Sequence, residues 1–173
     1  MIMKGYVHVY TGNGKGKTTA SLGLAVRALG AGKKVYIGQF AKSKHYSELV
    51  TIDKLLTDIT LKQYGMGCFI FDKPKEEDIQ AAQQGLKYAI DAIESDKYDL
   101  IILDEANIAI HYNLFSAADL IEALNRRNER TEIVITGRYA CQEIIDYADL
   151  VTEMKEVKHY YQQGVQARVG IEK

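Results

Sequence analysis

A glycine-rich stretch followed by lysine and threonine could bind the phosphates of a nucleotide. Residues 10–19 read YTGNGKGKTT, with three glycines among polar residues. Glycine adopts backbone conformations that side chains disfavour, so successive N–H groups of such a loop can point at one anion. We expect the ammonium of Lys17 to reach a phosphate oxygen and the hydroxyl of Thr18 to ligate Mg²⁺ or Mn²⁺. The predicted ATP-binding residues of the loop are Gly12, Asn13, Gly14, Lys15, Gly16, Lys17, Thr18 and Thr19.

The spacing of these glycines differs from that of the common phosphate loop. There, the first glycine stands five positions before the glycine that precedes the lysine. Five positions before Gly16 this chain has Thr11, and its glycine follows one residue later, at Gly12. The shortened loop also contains an additional lysine, Lys15. The sequence therefore predicts a phosphate site of an unusual kind.

Two acidic residues end a strongly apolar run further along the chain. Asp104 and Glu105 follow LIIL, a run typical of a strand covered on both faces. Carboxylates at the carboxyl end of a strand neighbouring the glycine loop can hold a metal directly or through water. We therefore predict a metal site formed by Thr18, Asp104 and Glu105. Glu105 could also act as a base, and Arg138, after ITG, could bind phosphate. The predicted catalytic residues are Lys17, Thr18 and Glu105.

The segments that must position these residues alternate between strand and helix patterns. We predict strands at 6–10, 35–40, 59–64, 99–105, 132–137 and 150–154, and helices at 17–31, 76–95, after Ser116 and around 140–148. Such alternation indicates an α/β fold with a mostly parallel sheet of five or six strands. Together with the glycine loop it predicts the three-layer P-loop NTPase (RecA-like) type. No linker or internal repeat divides residues 1–173, so we expect one domain. Gln39 and Lys42, where the second strand ends, are further candidates for the pocket.

Composition excludes several classes of partner. Lys plus Arg total 22 against 23 Asp plus Glu, for a formal net charge of -1, which gives no electrostatic basis for broad contact with nucleic acid or an anionic membrane. No apolar stretch approaches the roughly 18 residues of a membrane span, and the first residues lack a signal-peptide core. The two cysteines form no zinc motif. We expect a cytoplasmic protein without nucleic-acid or membrane partners.

The residues alone leave the reaction open. Phosphoryl transfer by an ATP hydrolase or a small-molecule kinase would need a positioned nucleophile and charge compensation at the γ-phosphate, which Glu105 and Arg138 could supply. An ATP-gated binding module without turnover would use the same phosphate site.

The order of motifs along the chain resembles one family. TGNGKGKTTASLGLAVRALGAGKKV, GQFAKS, GMGCFIFD, LIILDE, DLIEALNRR, ITGR, DYADLVTEMKEVKH and GVQARVGI follow one another from about Gly5 to Ile171. This order is similar to that of the phosphate-loop ATP:corrinoid adenosyltransferases, which act on cob(I)alamin or cob(I)yrinic acid a,c-diamide. The resemblance implies a cytoplasmic homodimer that uses ATP, a reduced corrinoid and a reductant such as flavodoxin or reduced flavin. It also adds Glu48, Lys158 and His159 as weaker pocket candidates.

The resemblance offers an explanation for the short loop. In this family a Co(I) corrinoid attacks the C5′ carbon of ATP, and the entire triphosphate leaves. The nucleophile belongs to the substrate, so no catalytic triad is needed. Lys15, Lys17, the loop N–H groups and Mg²⁺ would then stabilise a highly charged leaving group.

The resemblance also assigns a corrinoid contact. Aromatic residues of a loop in this family displace the lower axial ligand of cobalt, which makes Co(II) easier to reduce. The corresponding loop, GMGCFIFD, contains Phe69 and Phe71, whereas the family often has GFTWD, and this chain has no tryptophan. Many relatives also carry a basic N-terminal helix over the active site; here the first predicted strand begins near Met1, so we expect a pocket built without that helix.

Overall fold

A parallel sheet forms the centre of the computed structural model, which describes residues 4–42, 46–65 and 73–173. Within these ranges six strands pair in the order β3-β2-β4-β5-β1-β6, each parallel to its neighbours. The strands are β1 Val7–Thr11, β2 Val35–Phe40, β3 Ile59–Tyr64, β4 Leu100–Asp104, β5 Glu132–Thr136 and β6 Leu150–Glu153. The helices are α1 Lys17–Gly30, α2 Ser47–Leu55, α3 Glu76–Glu94, α4 Ala106–His111, α5 Ala117–Asn125 and α6 Gln142–Tyr147, and a 3₁₀ turn spans Tyr160–Gln163.

Helices cover both faces of the sheet. Along β4, Ile101 and Leu103 join the cluster that also contains buried residues of α3, α4, α5 and α6, whereas Leu100 and Ile102 join the cluster formed with α1 and α2. A strand buried on both faces in this way needs apolar residues at successive positions, which explains the run LIIL. The prediction of a three-layer α/β fold of the phosphate-loop type is confirmed.

Two helices were not anticipated in the sequence. The helix α2 buries only Ile52, and α4 has six residues and is separated from β4 by Glu105 alone. The strand predicted at 99–105 is one residue too long at each end, since β4 spans Leu100–Asp104. Glu105 has a φ of 59° and acts as the N-cap of α4. The helix predicted after Ser116 is present as α5, and a capping box begins it, since the hydroxyl of Ser116 accepts from the N–H of Asp119 and the Asp119 carboxylate accepts from the N–H of Ser116.

The order of the strands corrects the expected position of the acidic residues. The strand β4, which ends in Asp104, does not neighbour β1, because β5 lies between them. All six strands are parallel, so their carboxyl ends nevertheless meet at one edge of the sheet, as at the binding edge of other open α/β sheets. Asp104 and the glycine loop after β1 therefore lie at the same edge. In the described ranges, no helix has both the length and the apolar character needed to cross a membrane.

Gly85 of α3 packs closely against the sheet. A Cβ atom at this position would lie 2.4 Å from Cγ of Tyr64, which is buried. Alanine favours a helix over glycine by about 1 kcal/mol, but overpacking a core costs about 1–3 kcal/mol. We expect Gly85→Ala to lower the free energy of unfolding by about 1–2 kcal/mol in urea denaturation followed by circular dichroism.

Gly23→Ala is the matched control, because Gly23 lies in α1 with nothing within 4 Å of the added Cβ. It should raise the free energy of unfolding by up to about 1 kcal/mol. If both substitutions stabilised the protein equally, the close approach of α3 to Tyr64 would be wrong.

Candidate active site

The phosphate loop joins β1 to α1 and rests on the end of β6. Gly12 and Gly16 have φ values of 91° and 121°, a region that favours glycine. The N–H of Gly14 donates to the carbonyl of Met154 at 2.6 Å. A Cβ atom at Gly12 would lie 2.5 Å from that carbonyl oxygen. The glycines thus allow the loop to lie directly on the backbone that follows β6, a support that was not predicted.

The side chain of Lys17 folds back across this loop. Its Nζ donates to the carbonyl of Gly12 at 2.7 Å and to that of Gly14 at 2.8 Å, and the residue is only 7% exposed. Burial lowers the pKa of Lys17, and the carboxylate of Glu105 opposes this shift only in part. The loop therefore holds the ammonium close to its own backbone at the start of α1.

Asp104 is the centre of a buried polar network. Its Oδ1 accepts from the hydroxyls of Thr18 at 2.9 Å and Thr136 at 2.6 Å. Its Oδ2 accepts from Lys42 Nζ at 2.7 Å and from Gln39 Nε2 at 3.2 Å. Burial raises the pKa of the Asp104 carboxyl, but the charge of Lys42 and these hydrogen bonds outweigh burial and hold that pKa below its usual value. A carboxylate with this pKa is ionised at neutral pH.

Glu105 lies beside this network but has a different environment. Its backbone N–H donates to the hydroxyl of Thr136 at 3.1 Å, which holds the left-handed turn between β4 and α4. The residue lines the cavity in front of the phosphate loop. Burial and the neighbouring charge of Asp104 raise the pKa of the Glu105 carboxyl. The two adjacent acids thus have pKa values shifted in opposite directions.

The oxygen donors at this edge fit a hard divalent cation. The predicted ligands Thr18 and Asp104 are in direct contact, and hydroxyl and carboxylate oxygens are the donors that Mg²⁺ takes at nucleotide sites. The described part of the chain contains no group of three or more His, Cys, Asp or Glu side chains that could hold a metal. Phosphate and water would therefore supply the remaining ligands of a metal at this site, as is common for Mg²⁺.

A cavity of about 690 Å³ lies in front of the loop, within the usual range for small-molecule sites. It is lined by Gly14, Lys15, Gly16, Lys17, Thr18, Thr19, Leu22, Ala41, Lys42, Tyr46, Ser47, Glu48, Glu105, Ile108, Tyr112, Arg138, Tyr139, His159 and residues 170–173. The structure thus brings together most of the predicted site, including Arg138. Of the predicted residues that the structure describes, five lie outside this lining: Gly12, Asn13, Gln39, Asp104 and Lys158. Asn13 and Lys158 are exposed.

The C-terminal segment forms one wall of the cavity, which was not predicted from the sequence. The Nζ of Lys15 donates to the carbonyl of Ile171 at 3.1 Å, and the hydroxyl of Ser47 donates to the carbonyl of Lys173 at 2.9 Å. The motif GVQARVGI was the available signal, but its residues do not indicate where this segment lies relative to the phosphate loop. Phe69 and Phe71, the predicted corrinoid contacts, lie outside the described residues.

A phosphate loop between a parallel strand and a helix, facing a buried carboxylate at the same sheet edge, defines a P-loop nucleotide-binding protein of the α/β class. The chain belongs to the ATP:corrinoid adenosyltransferase family, because the family model described as ATP:corrinoid adenosyltransferase BtuR/CobO/CobP matches residues 3–172.

Curated relatives agree with this assignment. The chain is 34% identical over 171 residues to the corrinoid adenosyltransferase of Escherichia coli K12, with 98% of this chain and 86% of the relative covered. It is 34% identical over 175 residues to corrinoid adenosyltransferase CobA of Salmonella typhimurium LT2, with 98% and 86% covered. For the corrinoid adenosyltransferase of a Sinorhizobium species the identity is 33% over 172 residues, with 98% and 80% covered.

Proposed function

We propose that this chain transfers the 5′-deoxyadenosyl group of ATP to the Co(I) centre of a corrinoid and releases triphosphate. The observation that carries the proposal is the contact of Thr18 with Asp104 beside a shortened phosphate loop, in a chain of the corrinoid adenosyltransferase family. The cavity next to this contact has a volume in the range of small-molecule sites.

The transfer needs little acid–base chemistry from the protein. The bond from cobalt to C5′ forms as the C5′–O bond breaks, and the electron pair of the broken bond leaves on the triphosphate. No proton moves in this step, so the protein must mainly orient C5′ and stabilise the leaving group. We assign the second task to Lys17, Lys15 and the loop N–H groups.

The Mg²⁺ expected at Thr18 and Asp104, with Glu105 next to them, would neutralise part of the triphosphate charge when bound. Thr18 would contribute its hydroxyl and Asp104 its ionised carboxylate. Arg138 lines the same cavity and adds positive charge near the phosphates.

We further propose the finer properties that the family resemblance implies. They are a homodimer, a cytoplasmic location and an electron donor such as flavodoxin or reduced flavin, and contact of Phe69 and Phe71 with the corrinoid. Mn²⁺ could replace Mg²⁺, since both take oxygen ligands.

Phosphoryl transfer is the second candidate, and one observation favours it. Glu105 lines the cavity, and its carboxyl has a raised pKa, as expected of a general base that activates water or an acceptor hydroxyl. A hydrolase or kinase would break the bond between the β- and γ-phosphates and would need this base.

Product analysis distinguishes the two reactions. With ATP, Mg²⁺ and chemically reduced cobalamin, we expect intact inorganic triphosphate in the phosphorus NMR spectrum and a light-sensitive adenosyl product in equal amounts. Glu105→Gln should lose only the contribution of a metal ligand and should still form the same products, because adenosyl transfer needs no base. ADP formed without corrinoid, together with its loss in Glu105→Gln, would establish phosphoryl transfer instead. Corrinoid binding without turnover would indicate an ATP-gated carrier.

A further inference from the structure

Lys42 extends its ammonium group to Thr18 and Asp104, two of the three predicted metal ligands. Its Nζ lies 2.7 Å from Oδ2 of Asp104 and 3.1 Å from Oγ1 of Thr18. The same hydroxyl donates to the other carboxylate oxygen of Asp104 at 2.9 Å. The ammonium, the hydroxyl and the carboxylate therefore form one closed set of contacts.

A metal ion ligated by Thr18 and Asp104 would need the space that this ammonium occupies. Both cations would be attracted to the same carboxylate, and two positive charges at this separation repel each other strongly in a partly buried site. The side chain of Asp104 is 1% exposed and that of Lys42 12%, so water screens the repulsion poorly. The ammonium and a divalent cation consequently exclude each other.

The surroundings of Lys42 allow the side chain to leave. Asp104 also accepts hydrogen bonds from Thr136 and Gln39, so its carboxylate does not depend on the lysine alone. Gln39 is in turn held by Gln63, whose amide donates to it at 3.0 Å. Lys42 itself lines the cavity in front of the phosphate loop, so its ammonium can turn toward that space without crossing the core.

We propose that Lys42 is a built-in counter-ion that occupies the metal position in the nucleotide-free protein and moves toward the triphosphate when the metal arrives with ATP. This inference rests on the proposed metal–nucleotide site. Asp104 then keeps a cationic partner in both states, which avoids an uncompensated buried charge. The protein binds divalent cations poorly without nucleotide, because the triphosphate must offer the displaced ammonium a new partner.

Binding of Mn²⁺ alone tests the inference without ATP, corrinoid or turnover. Free Mn²⁺ is measured by electron paramagnetic resonance during titration of the nucleotide-free chain. We expect Lys42→Met to bind Mn²⁺ at least about tenfold more tightly than the wild-type chain, since a repelling unit charge has been removed. Adding Asp104→Asn to Lys42→Met should abolish this gain. Lys97→Met, which removes an exposed charge before β4 at the opposite end of the sheet, should leave the wild-type affinity unchanged.

Lys42→Gln serves as a second variant if Lys42→Met does not fold, because its amide can still donate to Asp104. Circular dichroism establishes which variant is folded. Equal Mn²⁺ affinity in the wild-type chain and the folded Lys42 variant, or a gain that persists with Asp104→Asn, would overturn the inference. Because the assay contains neither ATP nor corrinoid, a failure of adenosyl transfer would be detected separately, by product analysis.

Discussion

Lys17→Ala should lower the kcat of adenosyl transfer by about 10³-fold, the upper range for removing one group that stabilises developing negative charge. The ammonium of Lys17 is bound by the carbonyls of Gly12 and Gly14, at the start of α1. As the C5′–O bond breaks, negative charge accumulates on the triphosphate, and a buried ammonium interacts with it more strongly than with the ground state. The measurement is kcat and KM with preformed Co(I) corrinoid.

Lys15→Ala is the control within the same loop. Lys15 is exposed, and its ammonium donates to the carbonyl of Ile171 rather than to the loop. Water screens an exposed charge, so we expect a decrease in kcat of about tenfold or less. A kcat of Lys17→Ala close to the wild-type value, in a protein with unchanged circular dichroism, would contradict the role assigned to Lys17.

The phosphate loop and the architecture of the sheet could be predicted because their signals are local. A cluster of glycines between a strand pattern and a helix pattern identifies the loop from adjacent residues, although the approach of Gly12 and Gly14 to Met154 is seen only in the structure. The apolar run before Asp104 likewise predicts that its strand is buried on both faces. This prediction needs no knowledge of residues elsewhere in the chain.

The order of the strands and the partners of Asp104 could not be predicted in the same way. Thr136 lies on β5, between β4 and β1, and Lys42 follows β2 on the other side of β4. Their contacts with Asp104 span 32 and 62 residues of sequence. No periodicity relates such positions, so Lys42 was only one of several pocket candidates. The C-terminal wall of the cavity, at Ile171, was missed for the same reason.

Asp104→Asn should lower both stability and activity. The substitution leaves the ammonium of Lys42 without its anionic partner, and breaking a buried ion pair in this way typically costs about 3–5 kcal/mol. Because Lys42 can turn into the cavity, we expect a loss of about 2–4 kcal/mol in the free energy of unfolding, measured by chemical denaturation. Removing the ionised metal ligand should also reduce adenosyl transfer by at least about 10²-fold.

Asp99→Asn provides a matched control at the other end of the same strand. Asp99 is exposed and accepts from the backbone N–H of Lys34 at 2.9 Å. We expect a change of less than about 1 kcal/mol in stability and no change in activity, as for most surface substitutions.

The double variant Asp104→Asn/Lys42→Met separates the two effects of removing the carboxylate. If the stability loss comes from an uncompensated ammonium, the double variant should be more stable than Asp104→Asn, because it contains neither charge. Its adenosyl transfer should stay low, since the carboxylate is still absent. A double variant as unstable as the sum of the single changes would show that Lys42 and Asp104 do not act as a pair. The comparison therefore separates two roles of Asp104. Its ion pair with Lys42 contributes to stability, and its role as a metal ligand contributes to catalysis.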